Sequence, residues 1–132
     1  MYSQAHKLLR DILNDEELNA FIFEETGKHL AIIDAGAQIT TPAAVISFSG
    51  GDFSRRGNTS SEVEFTVSFL MPYWGDTAFS KCLEFLDFVI PVFFAYSDSG
   101  TYIVNASPAI HEPDDVSEQW SIDITLSVKV FL

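Results

Sequence analysis

A chain of 132 residues has room for one domain, and enough side chains to build a core without the disulfides that its single cysteine, Cys82, rules out within one chain. A hydrophobic fraction of 47% with twelve Phe excludes disorder over most of the length, while a formal charge of −12, from 19 acidic and 7 basic residues, argues against nucleic acid as a partner. The longest apolar run, 88–95, contains Pro91 and falls far short of the roughly 20 residues of a membrane span, so no membrane partner is expected. The N-terminus lacks the basic and apolar regions of a signal peptide, which together with the lone cysteine points to a reducing cytoplasm.

Residues 2–14 place Tyr2, Ala5, Leu8, Leu9, Ile12 and Leu13 at helical spacing, predicting an amphipathic helix with Ser3 as its N-cap. The acidic run Asp15-Glu16-Glu17 leads to a short strand over 20–23, then a turn over 24–28 in which Gly27 is free to adopt positive φ. A second short apolar run covers 29–33, and Pro42 precedes a strand over 43–49. The stretch 50–61 has three Gly and two adjacent basic residues, Arg55 and Arg56, and is predicted as a long hairpin connection. Residues 62–69 alternate cleanly, and Pro72 ends that strand. Asp76 or Thr77 then caps a second helix whose polar stripe is narrow, Thr77, Lys81, Glu84 and Asp87, so that it must be buried on more than one side, with Pro91 kinking or ending it. A strand follows over 101–106 and an acidic turn over 108–118.

The last stretch, 119–132, alternates almost without fault: Trp120, Ile122, Ile124, Leu126, Val128, Val130 and Leu132 on one side, Ser121, Asp123, Thr125, Ser127 and Lys129 on the other. A strand has a side-chain period of two, so this is a long strand with one buried and one wet face, and a slip of one residue would carry the aliphatic row into water. Strands clustered on either side of a helix predict an α+β fold, a single mixed but mostly antiparallel sheet with two α-helices packed on one face, over 1–132 as one domain.

No constellation points to catalysis, and no enzyme activity, cofactor or metal is expected. His6, His29 and His111 are scattered; His111-Glu112 with Asp114-Asp115 lacks the spacing of a calcium loop and reads as a solvated acidic turn. Cys82 sits on the apolar side of its helix as a core residue, and Gly50-Gly51 with Gly57 lacks the lysine and the helix of a phosphate cradle. Glu62 and Glu64 share a wet strand face, which needs no catalytic explanation. Arg55-Arg56 favours a protein contact, and Trp74, beside Tyr73 and Gly75 in a loop, is either core lid or interface anchor.

In the order and texture of these elements the chain resembles the tail terminator proteins of long-tailed bacteriophages, the family of the lambda-type minor tail protein U. The resemblance spans nearly the whole length. It is carried by the N-terminal amphipathic helix, by Glu64-Phe65-Thr66-Val67-Ser68-Phe69-Leu70-Met71-Pro72 running into a helix, and by Asp114-Asp115, Trp120-Ser121 and Asp123-Ile124-Thr125 at the end. It implies a structural subunit that forms a ring with itself, hexameric in the family, on the tail-tube protein. Such a ring ends tube polymerisation and offers a surface to the head-tail connector or neck protein; assembly would take place in the host cytoplasm and the product would sit in the virion tail. On that reading Phe53, Arg55 and Arg56 are docking residues, and Trp74, Phe93 and Phe94 are candidate intersubunit contacts. A related tail-completion or neck subunit, or a relative from a contractile apparatus, fits the same pattern. Two other classes remain: a small apolar-ligand binding domain enclosed by the Phe-rich helix and the sheet, and a metal enzyme using His111, Asp114 and Asp115.

Overall fold

A computed structural model describes residues 2–52, 60–114 and 119–131. In chain order these form α1 (Tyr2–Leu13), α2 (Glu16–Thr26), β1 (Ala31–Asp34), β2 (Ala43–Asp52), β3 (Ser60–Met71), α3 (Ala78–Phe94), β4 (Ser97–Asp98), β5 (Thr101–His111) and β6 (Trp120–Phe131). The strands make one sheet in the order β1-β2-β3-β6-β5-β4, with β1 parallel to β2 and every other pair antiparallel. The fold is α+β with a mixed sheet, as expected, but the two-helix face is corrected: there are three helices and the sheet is curled into a half-barrel, with α1 and α3 packed on the sheet and α2 on α3.

The curl can be read from α1. His6 and Arg10 reach Asp34 at the end of β1, at 2.7 and 3.3 Å, while Lys7 reaches Asp98 on β4 at 3.4 Å. Those two strands are opposite edges of the sheet. One helix touches both because the sheet bends around it, and Ala5, Leu8, Leu9, Ile12 and Leu13 fill the hollow. The floor of that hollow is the apolar row of β6, Ile122 to Val130, alternating as the sequence predicts and fully buried. Across it, Phe65 and Val67 of β3 pair with Leu126 and Ile124.

The strand expected at 20–23 is corrected to the middle of α2. Asp15 caps the helix, its carboxylate accepting from the Leu18 N–H at 2.9 Å, and Glu16 and Glu17 face the positive end of the helix dipole. At the other end Gly27 takes φ +73°, letting its N–H bond to the Phe23 carbonyl at 2.7 Å. With both ends satisfied, Leu18 and Ile22 share the buried side and Phe21 stacks on Phe88 of α3 at 4.5 Å. Tyr96 donates a hydrogen bond to the second oxygen of Asp15, tying α2 to the segment after α3.

Asp15 therefore holds two structures together. The Tyr96 bond, with the backbone donors of Leu18 and Glu17, keeps its carboxyl below the usual carboxylate range against some desolvation. Asp15→Ala is expected to lower stability by about 1–2 kcal/mol, read as a shifted urea midpoint with unchanged slope; Tyr96→Phe should lose a smaller part. A carboxyl with a depressed folded pKa contributes stability above its unfolded value, and loses it as the pH falls through the folded value. The difference between wild type and Asp15→Ala should accordingly shrink below the ordinary carboxylate range and be constant at neutral pH.

At Pro91 the helix does not end: α3 runs through it to Phe94. Proline removes one helix hydrogen bond and crowds the preceding turn, a cost of about 3 kcal/mol or more in a helix interior. Here Pro91 is on the exposed side, and continuing the helix carries Phe93 into the core against Phe69, with ring centroids 6.4 Å apart. Burial of such a ring contributes about 1.5–3 kcal/mol, enough to offset most of that cost.

Candidate functional site

Two adjacent stripes run along α3. Ala78, Cys82, Phe85, Val89 and Phe93 recur at helical spacing and are buried in the subunit's own core. One residue on, about 100° around the helix, Phe79, Leu83, Leu86, Ile90 and Phe94 form a second apolar stripe. Phe79, Leu83 and Phe94 are 51%, 45% and 49% exposed. Leu86 and Ile90 are only partly covered, and Trp120 of β6 extends the patch, its ring 6.3 Å from that of Phe79. The sequence called for burial on more than one side of this helix; the sheet covers the first stripe and Phe21 of α2 covers Phe88 on one flank, while the opposite flank, Phe79 to Phe94, is left largely open. Separate apolar side chains on a surface are ordinary; a contiguous stripe of this length makes this flank of α3 the candidate contact surface.

The residues singled out from the sequence fare differently. Trp74 is 85% exposed, in the connection between β3 and α3. Phe94 lies on the open stripe, but Phe93 is corrected: it is fully buried between α3 and the sheet and is not available to a neighbouring subunit. Phe53, Arg55 and Arg56 lie outside the described residues. Sequence reasoning passed over Phe79 and Leu83 as part of a general apolar surface; the signal for them was the second stripe, one residue out of phase with the first. It also passed over a smaller cluster at the hairpin end of the sheet. Tyr2, His6, Phe48 and Phe65 line an open apolar hollow of about 480 Å³, where the Tyr2 ring meets Phe48 edge-on at 5.4 Å and Phe48 meets Phe65 at 5.6 Å.

The helix-free face of the sheet is polar. Ser49, Thr66 and Thr125 form a chain of hydroxyls across β2, β3 and β6, at 2.7 and 3.3 Å. Glu62 and Glu64 are exposed, as their alternation predicts. On the same face His111 Nε2 lies 3.1 Å from the Asp123 carboxylate, which also accepts from Ser121 at 2.6 Å. His111 is thus engaged across the sheet, and among the described residues no three His, Cys, Asp or Glu side chains converge as a metal site would require. Burial pushes the Cys82 thiol up to about 11, leaving it protonated at neutral pH. No helix among the described residues is long and apolar enough to cross a membrane.

No protein-family profile matches the chain, and no curated protein matches it. Among solved structures there is a counterpart for nearly its whole length. The fold is similar to one found in a virion. That chain belongs to the virion of a native gene transfer agent particle, and the two superpose with a TM-score of 0.54 at 14% identity over 97% of this chain and 92% of the other. At such identity the likeness is one of fold, covering the helices and the sheet together.

Proposed function

We propose that this chain is a structural subunit of a phage-derived particle, one that closes into a ring on the end of the tail tube, stops its growth and presents a surface to the head-side connector. The observation that carries this reading is the second apolar stripe of α3. Phe79, Leu83 and Phe94 are exposed on a subunit whose core is already filled by the first stripe, so a neighbouring protein must cover them. The likeness in fold to a virion chain over almost the full length supports an assembly role. A ring subunit needs two different faces that meet head to tail, and Trp74 with the α3 stripe supplies apolar anchors for such a contact.

Electron microscopy and light scattering of the purified chain, alone and with the tail-tube protein of the same particle, test the proposal. Rings, or added mass on the tube ends, are expected. A monomer that adds nothing to the tube would sink it. The hollow formed by Tyr2, His6, Phe48 and Phe65 favours a second reading, an apolar-ligand binding domain. Native mass spectra showing a retained lipid, abolished by Phe48→Ser, would support that reading instead.

A further inference from the structure

The second feature is polar. Lys28, just beyond the end of α2, and Lys81, in the first turn of α3, converge on a pocket of about 260 Å³. Glu25, Thr26, Thr41, Pro72, Tyr73 and Trp74 complete its walls. Lys7 and Arg10 both have carboxylate partners on the subunit, whereas neither pocket ammonium has one among the described residues. The chain carries 19 acidic residues against 7 basic ones, so two lysines brought to one pocket gather a good share of its scarce positive charge. Lys81 sits over the Tyr73 ring, 5.8 Å from its centroid. Tyr73 is itself buried, and its hydroxyl has no hydrogen-bond partner.

The two ammoniums outweigh the one carboxylate in the wall, Glu25, and with the unpartnered Tyr73 hydroxyl they suit a further group that only accepts, such as a carboxylate. Burial holds the Tyr73 hydroxyl well above the ordinary phenol range, so it stays a donor at any physiological pH. A carboxylate is available at the same end of the sheet. Thr41 precedes β2 and Tyr73 follows β3, while Glu112 follows β5; the register runs Ala43 to Leu70, Leu70 to Ser121 and Ser121 to His111, so these chain ends lie level. The exposed turn 112–114 is separated from the pocket by β6, roughly 10–15 Å away at the ordinary strand spacing. Within one copy Glu112 makes no ion pair with either lysine. Complementary patches at one level on two flanks are what a head-to-tail ring contact requires.

We infer that the Lys28–Lys81–Tyr73 pocket receives the Glu112 carboxylate of a second copy of this chain, with Trp74 packing beside it. The inference rests on the ring reading above and names the contact that closes it. Sedimentation of the full chain over a concentration series, with thermal melts as a check on folding, tests it through charge reversal. Lys28→Glu with Lys81→Glu, and separately Glu112→Lys, should each weaken self-association about tenfold or more with an unchanged melting midpoint. All three changes in one chain should restore part of the association, since the exchanged charges again attract, with Glu25 remaining in the wall. Tyr73→Phe should weaken association while raising the melting midpoint, because the unpartnered hydroxyl is gone.

If the wild type associates and the reversals associate as tightly, the pocket is not the contact, and the ring reading stands without it. If the lysine reversals weaken association but Glu112→Lys does not, or the triple variant fails to recover, the occupant is another acid and the second-copy assignment is overturned. A wild type that remains monomeric with the tube protein present overturns the ring reading itself.

Discussion

Phe93→Ala is expected to destabilise the isolated subunit by about 3–5 kcal/mol, a large share of the roughly 5–15 kcal/mol that holds a domain together. The side chain is fully buried, and its ring meets Phe69, which meets Phe85 in turn at 4.8 Å. Removing it leaves a cavity bounded by a sheet on one side and a helix on the other, neither free to collapse. Its neighbour Phe94 is the control. Being half exposed on the open stripe, Phe94→Ala should move the urea midpoint little and weaken assembly instead. A wild-type midpoint for Phe93→Ala would mean that α3 is rotated, with the two rings exchanging roles.

That pair also shows how far the sequence could be read. β3 and β6 were legible because a period of two and burial on one face agree over their length, and the paired register from Ser61–Val130 to Met71–Trp120 confirms it. β1, with four residues, has too little alternation to announce itself, and its parallel pairing with β2 depends on where α2 and the following turn deliver the chain. α2 was misread because Ala20-Phe21-Ile22-Phe23 looks like a strand when taken alone; the capping signals at Asp15 and Gly27, eleven residues of helix apart, were the better guide. Leaving open whether Pro91 kinks or ends the helix left Phe93 and Phe94 without a helical phase, and with it went the distinction between them. Had the helix been continued, Val89 and Phe93 would have fallen on one stripe, and Ile90 and Phe94 on the next. The candidate surface was half legible for the same reason. Composition reveals an excess of apolar side chains, but only the rotation of α3 decides which are left uncovered. The basic pocket was not legible at all, since Lys28, Tyr73 and Lys81 meet only after α2 and α3 have packed.

Leu83→Glu is expected to abolish assembly while sparing the fold. Leu83 lies between Phe79, one turn before it, and Leu86 and Ile90 beyond, in the middle of the open stripe. In the isolated subunit a carboxylate here points to water and costs little. In the assembled state it would be buried among apolar rings without a partner, on a chain already at −12. An unpaired charge in a desolvated contact costs several kcal/mol, so association should fall by about a hundredfold or more. Leu83→Lys distinguishes the possible causes. If the stripe meets an apolar surface, lysine should weaken assembly as glutamate does, moderated by the reach of its ammonium to the rim. If the stripe lies against acidic groups, lysine should be tolerated. Equal association of all three proteins, at concentrations where the wild type forms a defined oligomer, would show that this side of α3 stays in solvent, and the covering partner would then have to be sought at Trp74 alone.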